Sequence, residues 1–213
     1  MQQRSADRDF AAYNEAQDGR KVRPLAVRAA QLVLEEPRRS LRTTPDDRLV
    51  AVELGSGAGI EARHLADSGF RVHTFDADVS VEAGMAGMAR TLDITHTTTD
   101  LAVPLPLPPA DLVLSCATLS FVPRAAFPQL WGAVRSALRP HGVLAVDLFG
   151  DRDDWAGTDG TFLTRADLEE LLTGLEVLAL DEEEHDGRSF AGPKHWHTYR
   201  LIVREPRDIA GTV

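Results

Sequence analysis

The sequence is short of three things, and each shortage excludes a class of protein. Cysteine occurs once, at Cys116, so the chain cannot close an internal disulfide. Long apolar runs are missing. None approaches the roughly 20 residues that cross a bilayer, so no membrane association is expected. Positive charge is in deficit, with 23 Lys and Arg against 33 Asp and Glu and a formal net charge of −10. Nucleic-acid binders carry a basic stripe that displaces counterions from phosphates. The nearest candidate here, Arg20, Lys21, Arg23 and Arg28, is short and mixed with apolar residues, so no nucleic-acid partner is expected. Met1 to Phe10 is polar and charged, unlike a signal peptide, and cytoplasmic residence is the expected reading.

What is present is ordinary for a folded protein. Hydrophobic residues make up 43% and charged residues 26% of 213, close to globular averages. A chain of this length buries roughly 70% of its unfolded surface, enough for one core. Residues 1–45 read as an N-terminal helical lid and linker, and residues 46–213 as the core of a single domain. Within the first part, Asp9 to Glu36 is helix-like. Leu25, Arg28, Ala29, Leu32 and Val33 recur at helical spacing behind Pro24, which suits a helix start. Pro37 to Asp47 reads as a linker.

From Arg48 the pattern alternates. Strands are predicted over Leu49–Leu54, Arg71–Phe75, Ile94–Thr99, Asp111–Cys116 and Val143–Phe149. Helices are predicted over Ala58–Ser68, Val79–Arg90 and Arg124–Leu138, with a tight turn at Pro140-His141-Gly142. Strands alternating with helices make βαβ units and a mainly parallel, doubly wound α/β sheet. The end breaks that rhythm. After a helix over Arg165–Thr173, strands over Leu175–Glu184 and His195–Arg204 are joined only by a loop, as in an antiparallel hairpin. The seventh strand therefore runs against the rest.

The strongest motif is Glu53-Leu54-Gly55-Ser56-Gly57-Ala58-Gly59, which joins a buried strand to a helix. Glycines there let the chain turn tightly and let a ligand lie against the backbone, facing helix-start N–H groups. The dinucleotide fingerprint G-x-G-x-x-G would need its third glycine one place later, where Ile60 stands. Asp76 follows Gly55 by 21 positions at the end of the second strand. An acid there accepts hydrogen bonds from a ribose diol, or is a plain turn residue in Asp76-Ala77-Asp78. Asp100, after the third strand, reads equally as a ligand contact or a solvated loop acid.

These residues, in this order, resemble the class I methyltransferases that use S-adenosylmethionine (SAM) and release S-adenosylhomocysteine (SAH). The resemblance covers about Arg48 to Glu205 and includes the terminal hairpin. The finer likeness, over Asp147–Trp155 and Pro193–His197, is to the small tellurite-resistance-like branch that acts on small molecules. The resemblance implies that Gly55, Ser56, Gly57 and Gly59 wrap the methionine half of the cofactor. It also implies that Glu53 orders that loop and the ammonium, that Asp76 and Ala77 hold the ribose, and that Asp100 and Leu101 hold the adenine. Ser115 and Cys116 would lie near the methyl group. An acceptor site would then lie after the fourth and fifth strands, with Tyr13, Phe121, Phe149, Trp155 and His195 as substrate contacts. From the N-terminal helix, Tyr13 or Arg20 reads as touching the cofactor or substrate, or the helix simply packs on the sheet. Trp155 and Trp196 read as stacking on an aromatic substrate or as plain pocket wall.

His195 and His197 point to one face of a strand. They read as the polar face of an edge strand, as a general base or substrate contact, or as metal ligands with His185 or Asp186. No metal site is assigned. The acidic run Asp181–Glu184 reads as a solvated strand end. Methyl transfer from a sulfonium needs mainly alignment, and holding two reactants together can supply roughly 7–11 kcal/mol. Alternatives are a nicotinamide oxidoreductase, a non-catalytic SAM-binding module, or an enzyme that uses this fold for another reaction.

Overall fold

The computed structural model describes residues 9–17, 19–36 and 48–206. The expected linker, and with it the boundary at 45/46, lies outside them. The strands are β1 (Val50–Leu54), β2 (Arg71–Asp76), β3 (Ile94–Thr98), β4 (Ala110–Ser115), β5 (Leu138–Phe149), β6 (Glu176–Ser189) and β7 (Gly192–Arg204). The helices are α1 (Phe10–Glu15), α2 (Pro24–Leu34), α3 (Ile60–Asp67), α4 (Glu82–Met88), α5 (Phe127–Ala137) and α6 (Arg165–Leu171). The strands form one sheet in the order β3-β2-β1-β4-β5-β7-β6. β1 to β5 pair in parallel. β7 alone is reversed, antiparallel to both β5 and β6. Strand order changes direction between β1 and β4. In open α/β sheets that switch point leaves a crevice outside the carboxyl ends of the strands, where ligands bind.

Every residue of β1 and β4 is buried, as expected of strands covered on both faces. Alternation sorts their side chains. Val50, Val52 and Leu54 join the layer of Phe127, Leu130, Trp131 and Val134 on α5. Those α5 residues recur at i, i+3, i+4 and i+7, one face of a helix. Ala51, Leu112 and Leu114 join the opposite layer, with α2, Leu65 of α3, and Met85 and Met88 of α4. Ala26, Ala29 and Ala30 of α2 are all buried, and their small side chains let the helix lie close over β4 and β5. α2 is therefore core and not lid, whereas α1 buries no residue.

Several boundaries differ from expectation. The helix expected over Val79–Arg90 is a 3₁₀ turn, Val79–Val81, followed by α4. α5 starts at Phe127 with Pro128 in its first turn. The expected tight turn at Pro140-His141-Gly142 is a bulge inside β5. Leu138 pairs with Ala110 and Val143 with Leu112, and His141 between them takes φ of +67°. The last hairpin is longer than expected, since its ladder runs on to Ser189 opposite Gly192. The acidic run is strand because Arg152, Arg165 and Arg200 lie against it, pairing with Glu182, Glu183 and Glu184. Exposed pairs are worth about 0–1 kcal/mol each, but they relieve the repulsion of four adjacent acids.

Candidate functional site

The glycine turn after β1 is shaped by two close approaches. At Gly55, φ is +75° and an added Cβ would lie 2.1 Å from Thr118 Oγ1. Gly59, also at φ +75°, caps α3 and lies against α4, where a Cβ would come 2.3 Å from Met88 Cε. Gly57 donates its N–H to Asp76 Oδ2 at 2.7 Å, and Asp78 N–H donates to Asp76 Oδ1 at 2.9 Å. One carboxylate at the end of β2 thus fixes both the glycine turn and the start of the next one. Asp78 accepts from Ser80 N and Oγ and from Asn14 Nδ2, the last at 2.9 Å, which ties α1 to this end. Burial opposes the Asp78 charge, but these bonds hold its pKa below the ordinary value.

Four ionisable residues adjoin this turn: Arg20, Arg23, Glu53 and Glu61. Arg20 grips Glu61 with two bonds of 2.7 Å, and Arg23 N–H donates to the same carboxylate at 2.9 Å. Burial would raise the Glu61 pKa, yet the bonds from Arg20 and Arg23 outweigh it and keep the group ionised. Glu53 is treated differently. It is 2% exposed, and its Oε2 has no hydrogen-bond partner among the described residues, like Ser56 Oγ. Burial pushes its pKa well up, with Glu61 and Asp76 adding and Arg20 and Arg23 opposing. A buried carboxyl with an open acceptor fits a cationic ligand group.

These groups face a cavity of about 970 Å³ at the ends of β1 and β4. Of the residues named from sequence, it is lined by Glu53, Gly55, Ser56, Gly57, Asp76, Ala77, Asp100, Leu101 and Cys116. Tyr13, Phe121, Phe149 and Trp155 line it too. Gly59 and Ser115 do not. Gly59 packs on α4, and Ser115 Oγ donates to Leu54 O at 2.9 Å, joining β4 to β1. Burial drives the Cys116 thiol well above its ordinary pKa, with Asp147 adding, so it is no ready nucleophile.

The two histidines do share a face, as the strand period requires, but it is not the cavity's. His197 is fully buried. Its Nδ1 accepts Arg152 N–H at 3.1 Å, its Nε2 lies 3.1 Å from Glu182 Oε1, and its carbonyl accepts Gly150 N–H at 2.7 Å. It latches the segment after β5 to β7. His195 pairs on the outside with Asp186 at 2.7 Å and Glu184 at 3.1 Å, bonds that raise its pKa. Trp196 between them faces the cavity instead. Neither histidine is placed to act as a base on a ligand there. Among the described residues no group of three His, Cys, Asp or Glu is arranged to hold a metal.

Sequence reasoning missed several lining residues: Phe10 and Asn14 of α1, Arg23, Thr118, and Phe190 at the hairpin tip. Arg23 was visible only as part of a short basic cluster, while Arg20 was expected, with Tyr13, as a contact from the N-terminal helix and does line the cavity. Their partner Glu61, eight residues beyond Glu53, was the available signal. It also missed the buried pair of Lys194 and Asp153, whose side chains are 1% and 0% exposed.

Residues 52–146 match the family described as "Methyltransferase domain". No curated protein matches the sequence. Among solved structures the chain is similar to TehB from Haemophilus influenzae, at TM-score 0.72 and 14% identity over 92% of this chain. It spans 66% of the TehB chain. It is also similar to the 1,6-didemethyltoxoflavin-N1-methyltransferase of Burkholderia thailandensis, at TM-score 0.63 and 17% identity over 95% of this chain and 87% of that one. The [4+2]-cyclase SpnF shares the fold at TM-score 0.57 and 18% identity, over 84% of this chain and 80% of its own. Residues 52–146 thus match a methyltransferase domain, and the chain has the fold of the class I SAM-dependent methyltransferases. The cofactor of that class is SAM.

Proposed function

We propose that the protein binds SAM in this cavity and transfers its methyl group to a small-molecule acceptor. The observation that carries the reading is the buried Glu53 carboxyl, whose Oε2 has no hydrogen-bond partner among the described residues, with Arg23 in the same cavity lining. Together they complement a zwitterion, with Glu53 accepting from an ammonium and Arg23 meeting a carboxylate. Asp76, already fixed by Gly57 and Asp78, keeps lone pairs for the two ribose hydroxyls. Asp100 and Leu101 border the adenine, and the glycine turn lets the methionine half lie on the backbone. The end of β4, at Cys116 and Ala117, borders the reacting centre. α1 closes over the top through Asn14 and Tyr13. When bound, SAM supplies a sulfonium methyl: the acceptor's lone pair forms the new bond, the C–S pair stays on sulfur, and SAH leaves. This chain's residues align the acceptor, exclude water and supply no imidazole.

The test presents SAM-loaded protein with pooled small molecules and follows SAH and methylated product together. Product and SAH rising in step support the reading. Tight SAM binding with no methylated product would leave a SAM-binding protein without this activity.

A further inference from the structure

The far end of the cavity differs in chemistry from the end built on Glu53 and Asp76. Seven of the chain's thirteen aromatic residues line the cavity. Phe10 of α1 meets Phe121 at a centroid distance of 5.5 Å, and Phe121 meets Phe149 at 5.8 Å and Trp155 at 5.7 Å. Both of these meet Trp196, at 5.8 and 5.6 Å. One continuous wall of rings therefore crosses the ends of β4 and β5 and the start of β7. At the mouth, Tyr13 of α1 meets Phe190 of the hairpin at 5.9 Å.

Charge points the same way. Of the described lining residues supplied by the segments after β4 and β5 and by the hairpin, Asp159 alone is charged, and it is an acid. Among the described residues the lining cations are Arg20 and Arg23, both N-terminal. Arg20 is gripped by Glu61, and Arg23 reaches the Tyr13 hydroxyl at 3.2 Å. Lys194 is not in the lining. Its ammonium sits 3.7 Å from the Trp196 centroid and 4.3 Å from that of Trp155, and it is paired with Asp153. Asp153 also accepts the Trp155 N–H at 3.0 Å and the His197 N–H at 3.2 Å. The rings are thus held before any ligand arrives, which lowers the ordering cost of binding. An oxyanion needs cations or N–H donors to replace its water, and the described residues of this wall present rings and one acid.

We propose that the acceptor is an uncharged, flat aromatic or heteroaromatic molecule that stacks on Trp155 and Trp196, and not a small oxyanion. The proposal rests on the methyl-transfer reading, and its test separates the two. Quinoline, indole and 1-naphthol are titrated calorimetrically into the full chain with and without SAH, alongside potassium tellurite as the oxyanion. At least one ring compound is expected to bind. Trp155→Leu is expected to weaken it about tenfold, the size of one lost stacking contact, with SAH affinity unchanged. Where Trp155→Leu does not fold, Phe121→Leu repeats the comparison. Ring compounds that give no heat, or that bind both variants like wild type, overturn the proposal, as does tellurite binding in their place. Trp155-dependent ring binding without any SAH binding upholds it while removing the methyl-transfer reading beneath it.

Discussion

The two ends of the cavity are built by different means. One end is polar and local. Glu53 lies at the end of β1, the glycine turn follows at once, and Asp76 holds that turn through the Gly57 N–H. The other end is aromatic and assembled from distant parts: α1, the segments after β4 and β5, and the last hairpin. The polar end keeps one carboxyl unsatisfied. The aromatic end keeps Lys194 and Asp153 paired behind the rings. Binding energy at the first end comes from hydrogen bonds and charge, and at the second from surface and preorganisation. Substitutions should therefore separate the two.

The largest effect is expected behind the rings. Lys194→Met leaves Asp153 buried and unpaired, which costs about 3–5 kcal/mol of stability. Adding Asp153→Asn to it should recover much of that loss, and denaturant melts of the single and double variants check it. Equal instability of both would mean that packing, not charge, holds the wall. Next comes Asp76→Ala. Loss of charged hydrogen bonds of about 1.5–3 kcal/mol should weaken SAH by roughly 10- to 150-fold while leaving ring binding nearly intact. Parallel loss of both ligands would erase the distinction between the ends. His197→Ala removes a buried, bonded ring and should cost about 1–3 kcal/mol of stability. His195→Ala, on the exposed face, should stay within about 0.5 kcal/mol. Neither should lower SAH affinity or turnover of the folded enzyme, and a selective turnover loss in His195→Ala would restore a catalytic role.

The same contrast explains what the sequence could disclose. Alternating apolar runs and helices exposed the parallel sheet, and the short final loop exposed the reversed β7. The polar end was legible because Glu53, the glycines and Asp76 lie on one strand, one turn and the next strand. Within it, the third glycine misled, because Gly59 looks like its neighbours yet packs on Met88. The aromatic end was only partly legible. Strand period showed that His195 and His197 share a face, but the choice of face depends on how β7 sits against β5. That choice sent Trp196 inward. Arg23 was hidden for the same reason, since a partner carboxylate 38 residues away leaves no local pattern. β6 was expected through the acidic run to Glu184, and what went unseen was its continuation to Ser189 opposite Gly192.

The most direct test of the central claim concerns Glu53. Its pKa is raised, so its share of stability is full below the ordinary carboxylate range. That share is lost as pH rises through the shifted pKa. The ligand's ammonium favours the carboxylate, so binding should release a proton and tighten as pH rises, until the ammonium itself deprotonates. The measurement is calorimetric titration of SAH into wild type and Glu53→Gln across pH, in buffers of different ionisation enthalpy. The account expects proton release by wild type, none by the variant, and an affinity loss of about tenfold, the loss of one charge-assisted bond. SAH that binds both proteins equally, with the same proton count, would contradict it.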